Sequence, residues 1–256
     1  HNHCALAAKE ALESRGHQTE FLDMLHMFGE PGPLRFDKIL NRICTKTPEV
    51  FGVMYHAGAM YSATGVTSPI YLANIRHARQ LSAFILENGY DAVLCSHLFP
   101  METLTYLRRH ENFPIRCYGI LSDYTCIPFL PETDLNGYFL PHDAVRSACV
   151  QAGMPAEKLF VTGMPVAQKF CTVCSRAQAR DLLALPQEKK IYLIMTGGVG
   201  CGDAVTLCDA IRRVPDENTL LCVLPGRNEQ LRAALEDTYH GQGVLTVPFT
   251  DRVAAY

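Results

Sequence analysis

The chain has no apolar run of about 18 residues, so nothing in its 256 residues reads as a span across a bilayer. It has no basic excess either. Lys and Arg number 23 against 26 Asp and Glu, for a formal net charge of −3. Nucleic acid is thereby excluded as the main partner, because a phosphate backbone demands a basic face. No signal peptide is visible, although the chain opens in mid-motif. A second cysteine pair at zinc spacing is missing. The eleven cysteines are scattered, and the C-x-x-C formed by Cys171 and Cys174 stands alone. The reading is therefore reduced thiols that pack as small hydrophobes, in a reducing cytoplasm, with no metal. Internal repeats and low-complexity segments are also missing.

What is present is a 48% hydrophobic chain, long enough for two α/β domains. Its most informative stretch is KKIYLIMTGGVGCGDAVTLCDAIRR, residues 189–213. An apolar strand is followed by Gly197, Gly198, Gly200 and Gly202, then by apolar residues at helical spacing. Such a turn lets backbone approach a ligand closely, and the helix behind it directs unpaired N–H groups and a positive dipole end to the same place. That combination suits a diphosphate. The loop lacks a Gly-Lys-Ser/Thr ending and the G-x-G-x-x-G spacing, so it is neither an ATPase P-loop nor a dinucleotide fingerprint. A bare tight turn is the competing reading.

Periodicity predicts helices over 5–12, 34–45, 48–60, 70–86, 102–110, 143–152, 176–183, 203–213 and 228–238. It predicts strands over 19–24, 91–96, 115–121, 137–140, 159–162, 190–195, 219–224 and 244–249. This alternation implies doubly wound parallel sheets. We expect one domain over 1–165, a link with a helix over 166–188, and the first half of a nucleotide-binding domain over 189–256. No strand precedes the first helix and the last helix stops in its first turn, so the expectation is a chain truncated at both ends.

Six stretches are diagnostic as an ordered set: HNHCALAAKEAL, SDYTCIPFLPETDLNGYFLPH, VTGMPVAQKF, MTGGVGCG, LPGRNEQLRAAL and VPFTDRVAAY. Together they resemble the monogalactosyldiacylglycerol synthase and processive diacylglycerol glucosyltransferase family across essentially the whole chain. The Gly-x-Gly usual before the first histidine and the Pro-Gly-Gly donor loop are not found. The resemblance implies an α/β GT-B fold, with two Rossmann-like domains facing a cleft. It implies inverting transfer of a hexose from UDP-glucose or UDP-galactose to diacylglycerol or a glycosyl-diacylglycerol. The UDP-sugar is a substrate, and no cofactor is implied. The competing readings are a transferase to a polyprenyl-linked or other acceptor, a nucleotide-sugar 2-epimerase, and a binding module without catalysis.

His1 and Asn2 fall at the start of the first helix, on the edge of an α/β sheet where ligands bind. A helix N-terminus disfavours the imidazolium there. The resemblance makes His1 the candidate base and Asn2 an acceptor-side residue. His97 and Asp123 follow predicted strands and face the same place. His97 is read as acceptor-side or as a satisfied histidine under a loop. Asp123 either orients His1 or is itself the base, with Glu132 and Asp134 as rivals, and His142 reads as a helix cap. Arg227 and Asn228 follow strand 219–224 and border the donor or simply begin a helix. Arg35, Lys38, Arg42 and Lys46 form one stripe of the 34–46 helix beside Phe36, Ile39, Leu40 and Ile43, and the segment 51–72 is apolar. A solvated face is the plain reading of that stripe. The resemblance favours an anionic membrane surface, placing the protein on the inner face of the cell membrane.

Overall fold

The computed structural model describes residues 1–24, 48–172, 174–198, 200, 203–213 and 216–256. Contacts divide the chain into two compact units, the first running through Cys171 and the second from Thr172 to Tyr256.

The first unit is built on a four-stranded parallel sheet, β1 (Ala92–Cys95), β2 (Arg116–Ile120), β3 (Gly137–Leu140) and β4 (Leu159–Val161), in that spatial order. Its helices are α1 (Asn2–Glu13), α2 (Pro48–Ser62), α3 (Pro69–Asn74), α4 (Ala78–Glu87), α5 (Leu98–His110) and α6 (Asp143–Gln151). Cys117, Tyr138 and Leu140 on the strands close against Leu104 and Leu107 of α5 and Val145 of α6. Each large apolar side chain buried there contributes roughly 1.5–3 kcal/mol. The order of strands matters for function, because consecutive parallel strands bring their carboxyl ends to one edge.

The second unit carries a three-stranded parallel sheet, β5 (Lys190–Met195), β6 (Thr219–Leu224) and β7 (Val244–Thr246), with α7 (Arg176–Leu182), α8 (Ala204–Arg212) and α9 (Glu229–Tyr239). Strand β6 shows why the sheet is wound on both faces. Leu221 and Val223 join Cys208, Leu235 and Tyr239 in one cluster, while Cys222 and Leu224 join Leu185 and Val247 in another. Successive strand residues point to opposite faces, so a strand apolar at every position must be covered twice.

Several expected elements differ. Residues 19–24 form no ladder. A strand exists only through its hydrogen-bonded partner, and among the described residues this segment has none. The helix expected over 70–86 is broken into α3 and α4 by a 3₁₀ turn, Ile75–His77. Helix α5 begins at Leu98 rather than at residue 102, because the His97 ring caps it. The strand over 244–249 ends at Thr246, ahead of Pro248, which has no N–H to give. The helix over 34–46 lies outside the described residues. The scattered cysteines read as small hydrophobes hold to that reading at Cys4, Cys95, Cys117, Cys149, Cys208 and Cys222, all buried, whereas Cys171 and Cys174 are exposed.

A histidine pair at the sheet edge and a glycine cradle

In the first unit the carboxyl ends of β1 and β2 lead into Ser96-His97 and Ser122-Asp123. His1 stands beside them as the N-terminal flank of α1, its side chain making no capping bond to that helix. Its Nδ1 lies 3.0 Å from Ser122 Oγ. The Ser96 hydroxyl donates to the His1 carbonyl at 3.1 Å. The His97 ring meets the His1 ring edge-on, with centroids 4.8 Å apart. His97 Nδ1 accepts the Phe99 N–H at 3.3 Å, capping α5. That nitrogen therefore carries no proton. Burial pushes the His97 ring below the ordinary histidine range, so it stands as a neutral neighbour of His1.

The hydrogen bond to His1 comes from Ser122, the neighbour of Asp123. The Asp123 carboxylate instead acts on Tyr55 of α2, whose phenol is raised first by burial and then by Asp123. The two rivals are spent on structure. Asp134 is paired with Lys158 at 2.5 Å and with Arg109 at 3.6 Å, and Lys158 in particular holds its carboxyl below the usual range. Glu132 accepts the Ser68 N–H at 3.0 Å and the Ser68 hydroxyl at 2.5 Å. His142 caps α6 through Nδ1, accepting the Ala144 N–H at 3.0 Å, as its place before a helix foretold. Asn2 is exposed at the start of α1.

In the second unit two loops interlock. Gly200 has φ 74° and Gly226 has φ 64°. A Cβ at Gly200 would stand 2.2 Å from the Pro225 carbonyl oxygen, and one at Gly226 would stand 2.2 Å from that of Gly197. Neither residue can carry a side chain, because backbone fills the space. The Arg227 N–H donates to Gly198 O at 3.0 Å. Asn228 ties the loops from its side chain: Nδ2 donates to Gly200 O at 2.9 Å, while Oδ1 accepts the Leu231 N–H and caps α9. The Asn228 amide is thus engaged through both its nitrogen and its oxygen. At Gly197 and Gly198 the space a Cβ would fill is open among the described residues. Gly202 lies outside the described residues, as do Arg35, Lys38, Arg42 and Lys46.

The helix behind this loop carries an acceptor of its own at its N-terminus. Asp203 is its N-cap, and the carboxylate accepts the Thr206 N–H at 2.9 Å. A capping aspartate satisfies one orphan donor and places a negative charge there. The Arg227 guanidinium, from the second of the two loops, lies 4.5 Å over the Phe249 ring.

The sequence reading passed over Ser122, Gly226, Asp203 and Phe249. Gly226 was signalled by Pro-Gly after a strand, and Asp203 by an aspartate ahead of a helix. Nothing local marked Ser122 as a partner of His1.

Residues 1–166 match the family model described as monogalactosyldiacylglycerol (MGDG) synthase. The chain belongs to that family. It is 26% identical over 232 residues to a processive diacylglycerol beta-glucosyltransferase of Bacillus cytotoxicus, covering 88% of this chain and 58% of the relative. A protein of the same description from Bacillus mycoides is 29% identical over 213 residues, covering 82% of this chain and 53% of that one. The chain spans about half the length of the curated relatives it matches. Among solved structures, S. aureus MnaA with UDP superposes with a TM-score of 0.50 at 13% identity, over 73% of this chain and 56% of that one. That likeness establishes the α/β, GT-B type of fold. No helix among the described residues is long and apolar enough to cross a membrane.

Proposed function

We propose that the protein transfers a hexose from a UDP-sugar to diacylglycerol or a glycosyl-diacylglycerol, with inversion, at a membrane surface. The observation that carries this reading is the His1, His97 and Ser122 cluster at the carboxyl edge of a sheet in a monogalactosyldiacylglycerol synthase family domain. The curated relatives' names supply the lipid and the sugar class.

His1 is the base. The acceptor hydroxyl gives its proton to the imidazole, the oxygen's electron pair bonds to the anomeric carbon, and the carbon–phosphate oxygen bond breaks. UDP leaves with that electron pair, and inversion follows from one in-line displacement. Asn2 and Asp123 stand on the acceptor side, at the start of α1 and beyond β2. The open backbone at Gly197 and Gly198, to which the Arg227 N–H is bonded, takes the diphosphate. The lipid is met by the first unit, whose α2 region leaves Val53, Met60, Val66 and Leu72 mostly exposed.

The test is incubation of the protein, expressed from its complete reading frame, with radiolabelled UDP-glucose or UDP-galactose and diacylglycerol vesicles. Label should enter the lipid fraction, and His1→Ala should lower turnover about 10²- to 10⁴-fold with a smaller effect on donor affinity. Label on a polyprenyl lipid only, or an epimerised free nucleotide sugar, would replace this reading. Crippled turnover in Asp123→Asn beside a near-normal His1→Ala would transfer the base to Asp123.

A further inference from the structure

We infer that Ser122 is a positioning residue whose hydroxyl accepts the Nδ1–H of His1 and so leaves Nε2 as the nitrogen that takes the acceptor's proton. This rests on the reading of His1 as base, and it names the residue that makes the ring competent.

A neutral imidazole carries one N–H, and the nitrogen without it is the one that accepts. The 3.0 Å contact between Ser122 Oγ and His1 Nδ1 therefore couples the hydroxyl to the ring's tautomer, and the proton of that contact is assigned to Nδ1. With the proton on Nδ1, the bond to Ser122 is satisfied and Nε2 is free for chemistry. With the proton on Nε2, the ring would offer an acceptor to Ser122 and nothing to a substrate hydroxyl. Serine suits both stages of a transfer. Its oxygen accepts from Nδ1–H in the neutral ring and continues to accept from it in the imidazolium, where both nitrogens are donors. Taking up the proton then requires no rearrangement at Ser122, and the imidazolium returns its proton to water afterwards.

The surroundings hold this contact in place. Ser122 follows Leu121, which is buried and donates its N–H to Phe139 O at 2.9 Å, so the backbone leading to the hydroxyl is fixed by the sheet. On the other side Ser96 anchors the His1 carbonyl at 3.1 Å. His97 closes the third side. Its Nδ1 is committed to the Phe99 N–H, so it offers the His1 ring an edge without a proton to exchange at that nitrogen. Three residues from the carboxyl ends of two adjacent strands thus orient one imidazole.

The experiment is long-range ¹H–¹⁵N spectroscopy of the ¹⁵N-histidine-labelled protein from its complete reading frame, with the His1 signals assigned by His1→Gln. In the neutral ring the wild type should show a protonated Nδ1 and a bare Nε2. Ser122→Ala should move the population toward the other tautomer and lower kcat about fivefold, the worth of one net hydrogen bond, while the KM for the donor stays unchanged. Ser122→Thr, which keeps the hydroxyl, should restore both. A wild-type ring protonated at Nε2 overturns the inference, whatever the activity of the variants. So does a Ser122→Ala protein whose tautomer is unchanged. Full turnover in His1→Ala would instead overturn the reading of His1 as base, a result separable from the tautomer measurement.

Discussion

Replacing Glu102 with glutamine should remove a pH dependence from the stability of the first unit. Glu102 is fully buried on α5. Its Oε2 accepts from Asn74 Nδ2 at 2.5 Å, and its Oε1 is buried without a well-formed hydrogen bond among the described residues. Glu132, which faces it, is spent on accepting two hydrogen bonds from Ser68. Burial raises the Glu102 carboxyl from 4.5 to about 8, the Asn74 bond opposing this and the Glu132 carboxylate adding to it. Between those two values the unfolded chain has lost the proton and the folded chain still holds it. The Glu102 contribution to stability must therefore be greatest below 4.5, fall as pH rises through the window, and level off above about 8. A tenfold change in proton affinity corresponds to about 1.4 kcal/mol, so the whole excursion is on the order of 5 kcal/mol. Glutamine copies the protonated acid. Its oxygen can accept from Asn74 while its amide donates toward Glu132, and it does not titrate. The chain has no tryptophan, so urea unfolding is followed by circular dichroism, at about pH 5 and about pH 8.5. The difference between variant and wild type should move by several kcal/mol in the variant's favour at the higher pH. Parallel behaviour at the two pH values would refute the argument and would mean that Glu102 is ionised in the folded chain.

The two glycines of the cradle should separate cleanly. Gly200→Ala forces a Cβ into the Pro225 carbonyl at a positive φ and should destabilise the second unit on the order of 3 kcal/mol, read from its melting; a melt within about 0.5 kcal/mol of wild type would contradict the interlock. Gly198→Ala meets open space and should leave the melt unchanged while weakening UDP binding by calorimetry; unchanged UDP affinity would remove this loop from the donor site. At the membrane, changing Arg35, Lys38, Arg42 and Lys46 to Gln should reduce sedimentation with anionic vesicles, and wild-type binding should fall with salt, since exposed charges are screened beyond about 8–10 Å. Salt-insensitive binding would assign the contact to the exposed Val53, Met60, Val66 and Leu72 instead.

The chain's own pattern was enough to place its parallel strands, from Ala92–Cys95 to Val244–Thr246, because a strand apolar on both faces and a helix apolar on one leave different periods. It was enough to mark His97 as a residue at a strand's carboxyl end and His142 as one beside a helix start, and to mark Gly197 to Gly200 as a turn where backbone comes close. These are local properties, set by neighbours within a few positions in the sequence. The family could also be read from the order of short stretches, and the match over residues 1–166 agrees.

What the chain could not specify is which group meets which across long separations. Ser122 lies 121 residues from His1, and it touches that ring because β1 and β2 end side by side. The charge of its neighbour Asp123 is felt instead by Tyr55, which lies on α2. The bond by which Asp203 caps α8, from the Thr206 N–H to its carboxylate, is seen only once the loop is folded. Gly226 matters only because Gly197 lies against it. Glu102 reads as an ordinary helical glutamate until packing removes its water and sets a second carboxyl before it. Hydrogen-bond partners, desolvation and the state of a proton depend on three-dimensional neighbours, and the tertiary fold alone supplies them.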